Sequence, residues 1–196
     1  STGEYNISFG DYAACCLTTG RANISIGYHA GRRVKNGDDN IFMGRYTGCA
    51  TSGDNNIFLG CRAGCKSTSG SQNLALGTLA MGACDVTGTG NIALGCQAGL
   101  KVTSGNKNIF IGHDVALNCE ITGNYNFIFG KAAAVRLTSG NDNFVGGYQG
   151  GYCLSTGSAN ILLGSRIASD GGAEFTGCCN IILGDSAGKK ATTASH

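Results

Sequence analysis

The stretch Thr51-Ser52-Gly53-Asp54-Asn55-Asn56-Ile57-Phe58-Leu59-Gly60-Cys61-Arg62-Ala63-Gly64-Cys65 decides the fold, because the chain writes nearly the same phrase eleven times. An asparagine opens a short apolar stretch that a glycine closes, at Asn6, Asn23, Asn40, Asn56, Asn73, Asn91, Asn108, Asn126, Asn143, Asn160 and Asn180. The spacings run from 16 to 20 residues and are mostly 17. Three residues before every asparagine stands another glycine, from Gly3 and Gly20 to Gly177. The unit is T-(S)-G-x-x-N-φ-x-φ-G-x-x-A-G, followed by a segment that returns to T-G. Self-similarity at such a period is the signature of a repeat architecture.

Each part of the unit has a physical reading. The stretch Asn-φ-x-φ-Gly is too short for a helix and its Ile, Leu and Phe alternate with period two, which predicts a strand with both φ positions turned inward. Glycines at the strand end and before the asparagine supply positive φ where the chain turns. Segments such as Leu100-Lys101-Val102-Thr103 and Glu120-Ile121-Thr122 are expected to form second, shorter strands. One repeat cannot bury its apolar face alone, but stacked copies build a continuous core. The predicted fold is all-β, a single β-solenoid domain over 1–196 made of eleven repeats of about 17 residues. The asparagines then form a column, each amide bonding the next at the strand spacing of about 4.8 Å. Asparagine as a mere turn former would tolerate Asp or Ser, and neither occurs at any of the eleven positions.

The middle strand position is expected to face outward, yet it holds Phe42, Phe58, Phe110, Ile128, Leu162 and Ile182, with Ala75, Ala93 and Val145 between them. A strand apolar on both faces is usually buried on both. Either a second layer of the same chain covers this strip, or it is a surface for self-association.

Cysteines follow a longer period. Counted four back from the T-G glycine, Cys16, Cys49, Cys84, Cys119 and Cys153 fall only in alternate repeats, and Cys61 and Cys96 also sit two repeats apart. Two geometries stay open. With one repeat per coil, alternate cysteines lie roughly 9.6 Å apart, twice the strand spacing and beyond disulfide reach. With two repeats paired into a coil of about 34 residues, Cys16 with Cys49, Cys84 with Cys119, and Cys61 with Cys96 come within reach of one another. The alternation favours the second. Eleven cysteines in 196 residues point to an oxidising, extracellular setting, against the plainer reading as small core fillers. Because eleven is odd, one thiol is left over or bridges chains; Cys15, Cys178 and Cys179, near the two ends, are the candidates for inter-subunit bridges.

Composition narrows the function further. With 34 glycines, no proline, no tryptophan and 13% charged residues, the chain is unlike an ordinary enzyme. A net charge of +2 spread over 14 basic and 12 acidic residues implies neither a nucleic acid nor an anionic membrane as partner. No apolar run approaches the roughly 20 residues needed to cross a bilayer. Ser1-Thr2-Gly3 does not resemble a signal peptide, so any export signal has been removed or lies elsewhere.

The residues offer little chemistry. His29, His113 and His196 are far apart at non-equivalent repeat positions and read as surface histidines. Cys61 and Cys65 lack a second pair at zinc-like spacing, and Gly88-Thr89-Gly90 lacks the context of a nucleotide loop. Acidic turns such as Gly37-Asp38-Asp39-Asn40 and Gly140-Asn141-Asp142-Asn143 do not repeat their carboxylates as a calcium roll would. The expectation is no catalytic site, no metal and no cofactor. Thr18-Thr19, Thr51, Thr68, Thr87, Thr103, Thr122, Thr138, Thr156 and Thr176 suggest a ladder of the ice-binding kind, but a glycine within two residues puts each at a corner. A lyase on a solenoid would need clustered carboxylates, which are sparse here.

Lines such as TSGNKNIFIGHDVA (103–116) and TSGDNNIFLGCRAG (51–64) resemble the repeats of phage tail fibres and related bacterial surface fibres and, more loosely, the head repeats of trimeric autotransporter adhesins. The resemblance covers nearly the whole chain. It implies a rigid, elongated, often trimeric fibre outside the cell or on a virion tail; the cysteines favour a secreted filament or adhesin. The chaperone domain, stalk and anchor that accompany such fibres are not in the sequence. Neither end reads as a polar cap, so the expectation is a piece of a longer fibre or molecules that stack end to end into a filament. Its partner is then itself. Outward turns such as Tyr28-His29 and Tyr148-Gln149 are where surface glycans or a host receptor would be met, and solvated turns are the simpler reading.

Overall fold

The computed structural model describes residues 2–169 and 173–193. The readings that fall on Ser1 and on Ala194-Ser195-His196 lie outside the described residues. Each Asn-φ-x-φ-Gly phrase forms one short strand: β1 (Ile7–Phe9), β2 (Ile24–Ile26), β3 (Ile41–Met43), β4 (Ile57–Leu59), β5 (Leu74–Leu76), β6 (Ile92–Leu94), β7 (Ile109–Ile111), β8 (Phe127–Phe129), β9 (Phe144–Gly146), β10 (Ile161–Leu163) and β11 (Ile181–Leu183). They lie in chain order in one eleven-stranded sheet, every neighbouring pair parallel and in register, as Ile41 with Ile57 and Phe42 with Phe58. The fold is a β-solenoid.

One repeat is one coil. The Ile57 N–H bonds the Asn73 carbonyl and the Leu74 N–H bonds the Asn91 carbonyl, so each repeat sits directly on the next. The 34-residue coil is thereby overturned. The second strands are shorter than expected: among the described residues the return segments form isolated bridges, Ser67 with Val86, Val102 with Ile121, and Leu154 with Phe175, and are joined elsewhere by single backbone bonds such as Thr138 N–H to the Ser155 carbonyl.

The strands face the other way from the expectation. Phe42, Phe58, Phe110, Ile128 and Leu162 are wholly buried, and Ile182 packs against the same core. They are therefore core and not an association surface. The reason is parity. From Asn23 onward the asparagine that opens each strand is itself buried, and side chains alternate, so the second residue after it also points inward while its two neighbours point out. The core is completed by the Ala of x-x-A-G, such as Ala63, Ala80 and Ala98, and by return-segment residues such as Val34, Val86, Val102, Ile121 and Leu154. Where the middle residue shrinks from Phe58 to Ala75, the position of Gly64 in the next coil is filled by the buried Met81, which keeps the volume of the layer.

Two glycine columns allow coils to approach. The strand-closing glycine has φ between +111° and +143° along the stack, and a Cβ on Gly44 would stand 2.7 Å from the Gly60 carbonyl oxygen. The T-G glycine serves differently from the expectation. It does not carry positive φ; a Cβ on it would collide with the matching carbonyl of the next coil, as at Gly53 against Gly70. The left-handed residue is the one directly before the asparagine, for example Asp39, Asn55, Gln72 and Lys107.

Candidate functional site: an apolar sheet face and a basic groove

The asparagine ladder holds the frame on which every other feature is placed. The Asn108 Nδ2 donates to Asn91 Oδ1 at 3.1 Å and to the Gly123 carbonyl at 2.8 Å, while its own Oδ1 accepts from the Asn126 backbone N–H at 3.0 Å and from Asn126 Nδ2 at 2.9 Å. The pattern runs from Asn6 and Asn23 through Asn40, Asn56, Asn143 and Asn160 to Asn180. At Asn73 the backbone N–H, rather than the amide, reaches Asn56 Oδ1. In the buried coils the carboxamide thus has partners on both sides, which is what a polar group in a dry core requires.

A second ladder runs on the outer turn, and it escaped the sequence reading. In most coils from Gly37 onward the residue after the T-G glycine accepts from a backbone N–H of the preceding coil: Arg21 N–H to Asp38, Asp38 N–H to Asp54, Asn106 N–H to Asn124, Asn124 N–H to Asn141. The accepting residues vary among Asp, Asn, Ser and Cys, so only their shared acceptor chemistry could have revealed the ladder. The acidic turns therefore spend Asp38 and Asp54 on the neighbouring coil. Several threonines do likewise, Thr18, Thr103 and Thr138 donating their hydroxyls to carbonyls one coil along at 2.8–3.2 Å.

The outward strand positions form two apolar columns along the surface. One column reads Ile7, Ile24, Ile41, Ile57, Leu74, Ile92, Ile109, Phe127, Phe144, Ile161, Ile181, and the other Phe9, Ile26, Met43, Leu59, Leu76, Leu94, Ile111, Phe129, Gly146, Leu163, Leu183. None is polar. Met43 is 43% exposed, Ile57 38% and Leu76 44%. The gap at Gly146 is occupied by the Phe129 ring, which packs with Phe127 and Phe144 at centroid distances of 5.5 and 5.7 Å. With coils about 4.8 Å apart, the strip is roughly 48 Å long. Monomers rarely expose contiguous apolar patches above a few hundred Å².

On another side of the early coils lies a groove of about 480 Å³ lined by His29, Arg32, Arg33, Tyr46, Cys49, Ala50, Cys65, Lys66 and Asp85. His29, read from sequence as a surface residue, is 7% exposed. Its ring packs against Tyr12, Tyr28 and Tyr46 at 5.0, 4.1 and 4.9 Å, with Arg32 Nη1 3.4 Å from Nδ1. The guanidinium groups of Arg45 and Arg62 stand over the Tyr46 ring at 5.8 and 5.9 Å. His113 instead pairs with Asp114 at 2.8 Å. Among the described residues no group of three or more His, Cys, Asp or Glu is arranged to hold a metal ion.

The expected disulfides do not meet. Cys61 and Cys96 are separated by the coil of Thr78, since Leu79 N–H bonds the Cys61 carbonyl and Gln97 N–H bonds the Thr78 carbonyl. Cys16 and Cys49 are separated by Arg32-Arg33, and Cys84 and Cys119 by the coil carrying Leu100-Lys101. Each pair spans two coils. The six cysteines are thiols. Counting from the T-G glycine misaligned them because the extra residues of longer repeats are absorbed in the return segment; counted from the strand glycine, Cys49 falls in the column of Cys15 and Cys65. Cys15 and Cys179 are exposed on end coils, the Cys15 Sγ lies 3.8 Å from Cys16 Sγ, and Cys178 Sγ accepts from the Ser158 N–H.

Compared with family models, with curated proteins and with solved structures, the chain gives no significant match.

Proposed function

We propose that this chain is building material, not an enzyme: a stiff rod for an extracellular or cell-surface fibre that associates side by side with copies of itself through the outer sheet face. The observation that supports the reading is the unbroken apolar strip over eleven strands. A second copy is the best-matched occupant, because it carries the same strip at the same spacing of about 4.8 Å, so side chains of one rod interdigitate with those of the other over the whole length. The resemblance to tail-fibre and adhesin repeats points the same way. The stacked ladders supply stiffness and deny proteases a loose loop. The outermost strands, β1 and β11, each pair on one edge only within the sheet, and a further parallel rung fits there, which is the route to end-to-end growth.

Sedimentation velocity and cryo-electron microscopy of the purified chain test this. Dimers, trimers or filaments with the sheet faces turned toward each other are expected. A monodisperse monomer at about 100 μM, far above the micromolar range in which standard interfaces form, would sink it.

A further inference from the structure

The cysteine columns contain one pair on neighbouring coils. The Gly48 N–H bonds the Ala63 carbonyl at 3.0 Å, and Gly48 and Gly64 share the left-handed conformation at φ 56° and 55°. The next residues, Cys49 and Cys65, therefore sit one above the other at the coil spacing of about 4.8 Å, inside the Cα separation of roughly 4.4–6.8 Å that disulfides span. Both are partly buried, and both line the groove that also presents Arg32, Arg33 and Lys66, with Asp85 the one carboxylate. Cys49 Sγ lies 3.2 Å from the His29 carbonyl.

We propose that Cys49 and Cys65 are a redox-active dithiol that closes to a disulfide across two coils, with Cys65 as the attacking sulfur and a small anionic organic disulfide, drawn by the groove's cations, as oxidant. Interaction with the neighbouring Cys49 thiol, aided by the charges of Arg62, Lys66 and Arg33 and opposed by burial, lowers the Cys65 thiol to about 6. Interaction with Cys65, with burial, raises Cys49. The Cys65 thiolate attacks one sulfur of R–S–S–R, forming a mixed disulfide and expelling RS⁻. Cys49 then gives up its proton to the expelled thiolate and attacks the Cys65 sulfur, expelling the second RS⁻. Two protein thiols are oxidised and one R–S–S–R is reduced to two RSH. This inference does not rest on the fibre reading and survives or fails separately from it.

The test treats the reduced full chain with glutathione disulfide, caps remaining thiols with iodoacetamide, and maps tryptic peptides after denaturation. Cleavage after Arg45, Arg62 and Lys66 places Cys49 and Cys61 on peptide 46–62 and Cys65 on peptide 63–66. The two peptides are expected joined, two hydrogens lighter than their sum, in the parent chain and in Cys61→Ser, with complete loss of the joined species in Cys65→Ser and Cys49→Ser. Closure with glutathione disulfide is expected to outpace closure with the cationic disulfide cystamine by about tenfold. A lasting glutathione adduct on Cys65 with Cys49 capped, or a joined species that vanishes in Cys61→Ser, would overturn the pair. Equal rates with cystamine would overturn the groove's part in it. Fragmentation of the joined peptides assigns the bonded sulfurs in the parent chain even if a serine variant fails to fold.

Discussion

At the residue scale, stability concentrates in side chains that serve two coils at once. Replacing Asn108 with alanine removes its bonds to Asn91 and Gly123 and leaves the Asn126 amide and backbone N–H short of their acceptor. The expected cost is about 3 kcal/mol, the scale of buried polar groups left unmade. Asn108→Asp is expected to cost at least as much, since a carboxylate oxygen would face the Gly123 carbonyl. Hydrogen exchange resolved by residue is the suitable readout, because coils of a solenoid open locally and a single midpoint averages over them. Protection lost over 91–126 and kept over 24–59 is the expected pattern. Two nearby glycines separate crowding from conformation. Gly88→Ala drives a Cβ into the Gly105 carbonyl and is expected to lose more than about 2 kcal/mol. Gly90→Asn occupies a left-handed position that Gln72 and Lys107 hold in neighbouring coils, and is expected to be neutral or to gain up to about 1 kcal/mol in chemical denaturation. For Cys65 the sign is set by the lowered pKa. Its thiolate persists on the acid side, so iodoacetamide alkylation is expected to fall off only through about pH 6. At pH 6.5 it should run roughly fivefold faster than an ordinary thiol, the gain in thiolate outweighing the loss of nucleophilicity. Cys49→Ala removes the neighbouring thiol that lowers Cys65 and is expected to move that midpoint upward, as stopped-flow or mass-resolved alkylation would record.

At the scale of the element, a strand of three residues is nothing by itself, and its two faces carry opposite consequences. Phe58 and Ile57 are adjacent, yet one is wholly buried and the other 38% exposed. Phe58→Lys is expected to abolish folding around β4, for it puts a charge into the core. Leu76→Lys and Ile111→Lys are expected to leave the circular dichroism spectrum unchanged while shifting sedimentation toward the monomer. If both outer variants associate as the parent does, the sheet face is not the contact. How much of this was legible follows from particular residues. The strands, their length and their limits followed from Asn-φ-x-φ-Gly. Which side faced in did not, because Ile57, Phe58 and Leu59 are all apolar and parity had to come from the buried Asn56. The outer-turn ladder was illegible for a related reason: Asp54, Ser71, Asn106 and Asn141 share an acceptor atom, not a residue type.

At the scale of the whole molecule, stacking makes the chain quasi-one-dimensional, each coil touching its two neighbours. Deleting one complete repeat, residues 92–108, rejoins Asn91 to Ile109 in register. The shortened chain is expected to fold and to be about 4.8 Å shorter in X-ray scattering, whereas deleting 92–104 breaks register and is expected to disrupt the stack.

The sequence by itself determined the period, the strand-turn-strand order and the asparagine column, because these follow from local sterics and from the need of any buried amide to find identical partners along a stack. Tertiary structure decided the rest: one repeat per coil, the inward Phe and outward Ile, and the meeting of Cys49 with Cys65. The facing of Phe and Ile depends on the opening asparagine being buried, and the stacking of coils and cysteines on where repeats of unequal length absorb their extra residues, which is settled only when neighbouring backbones pair from the strand glycine onward.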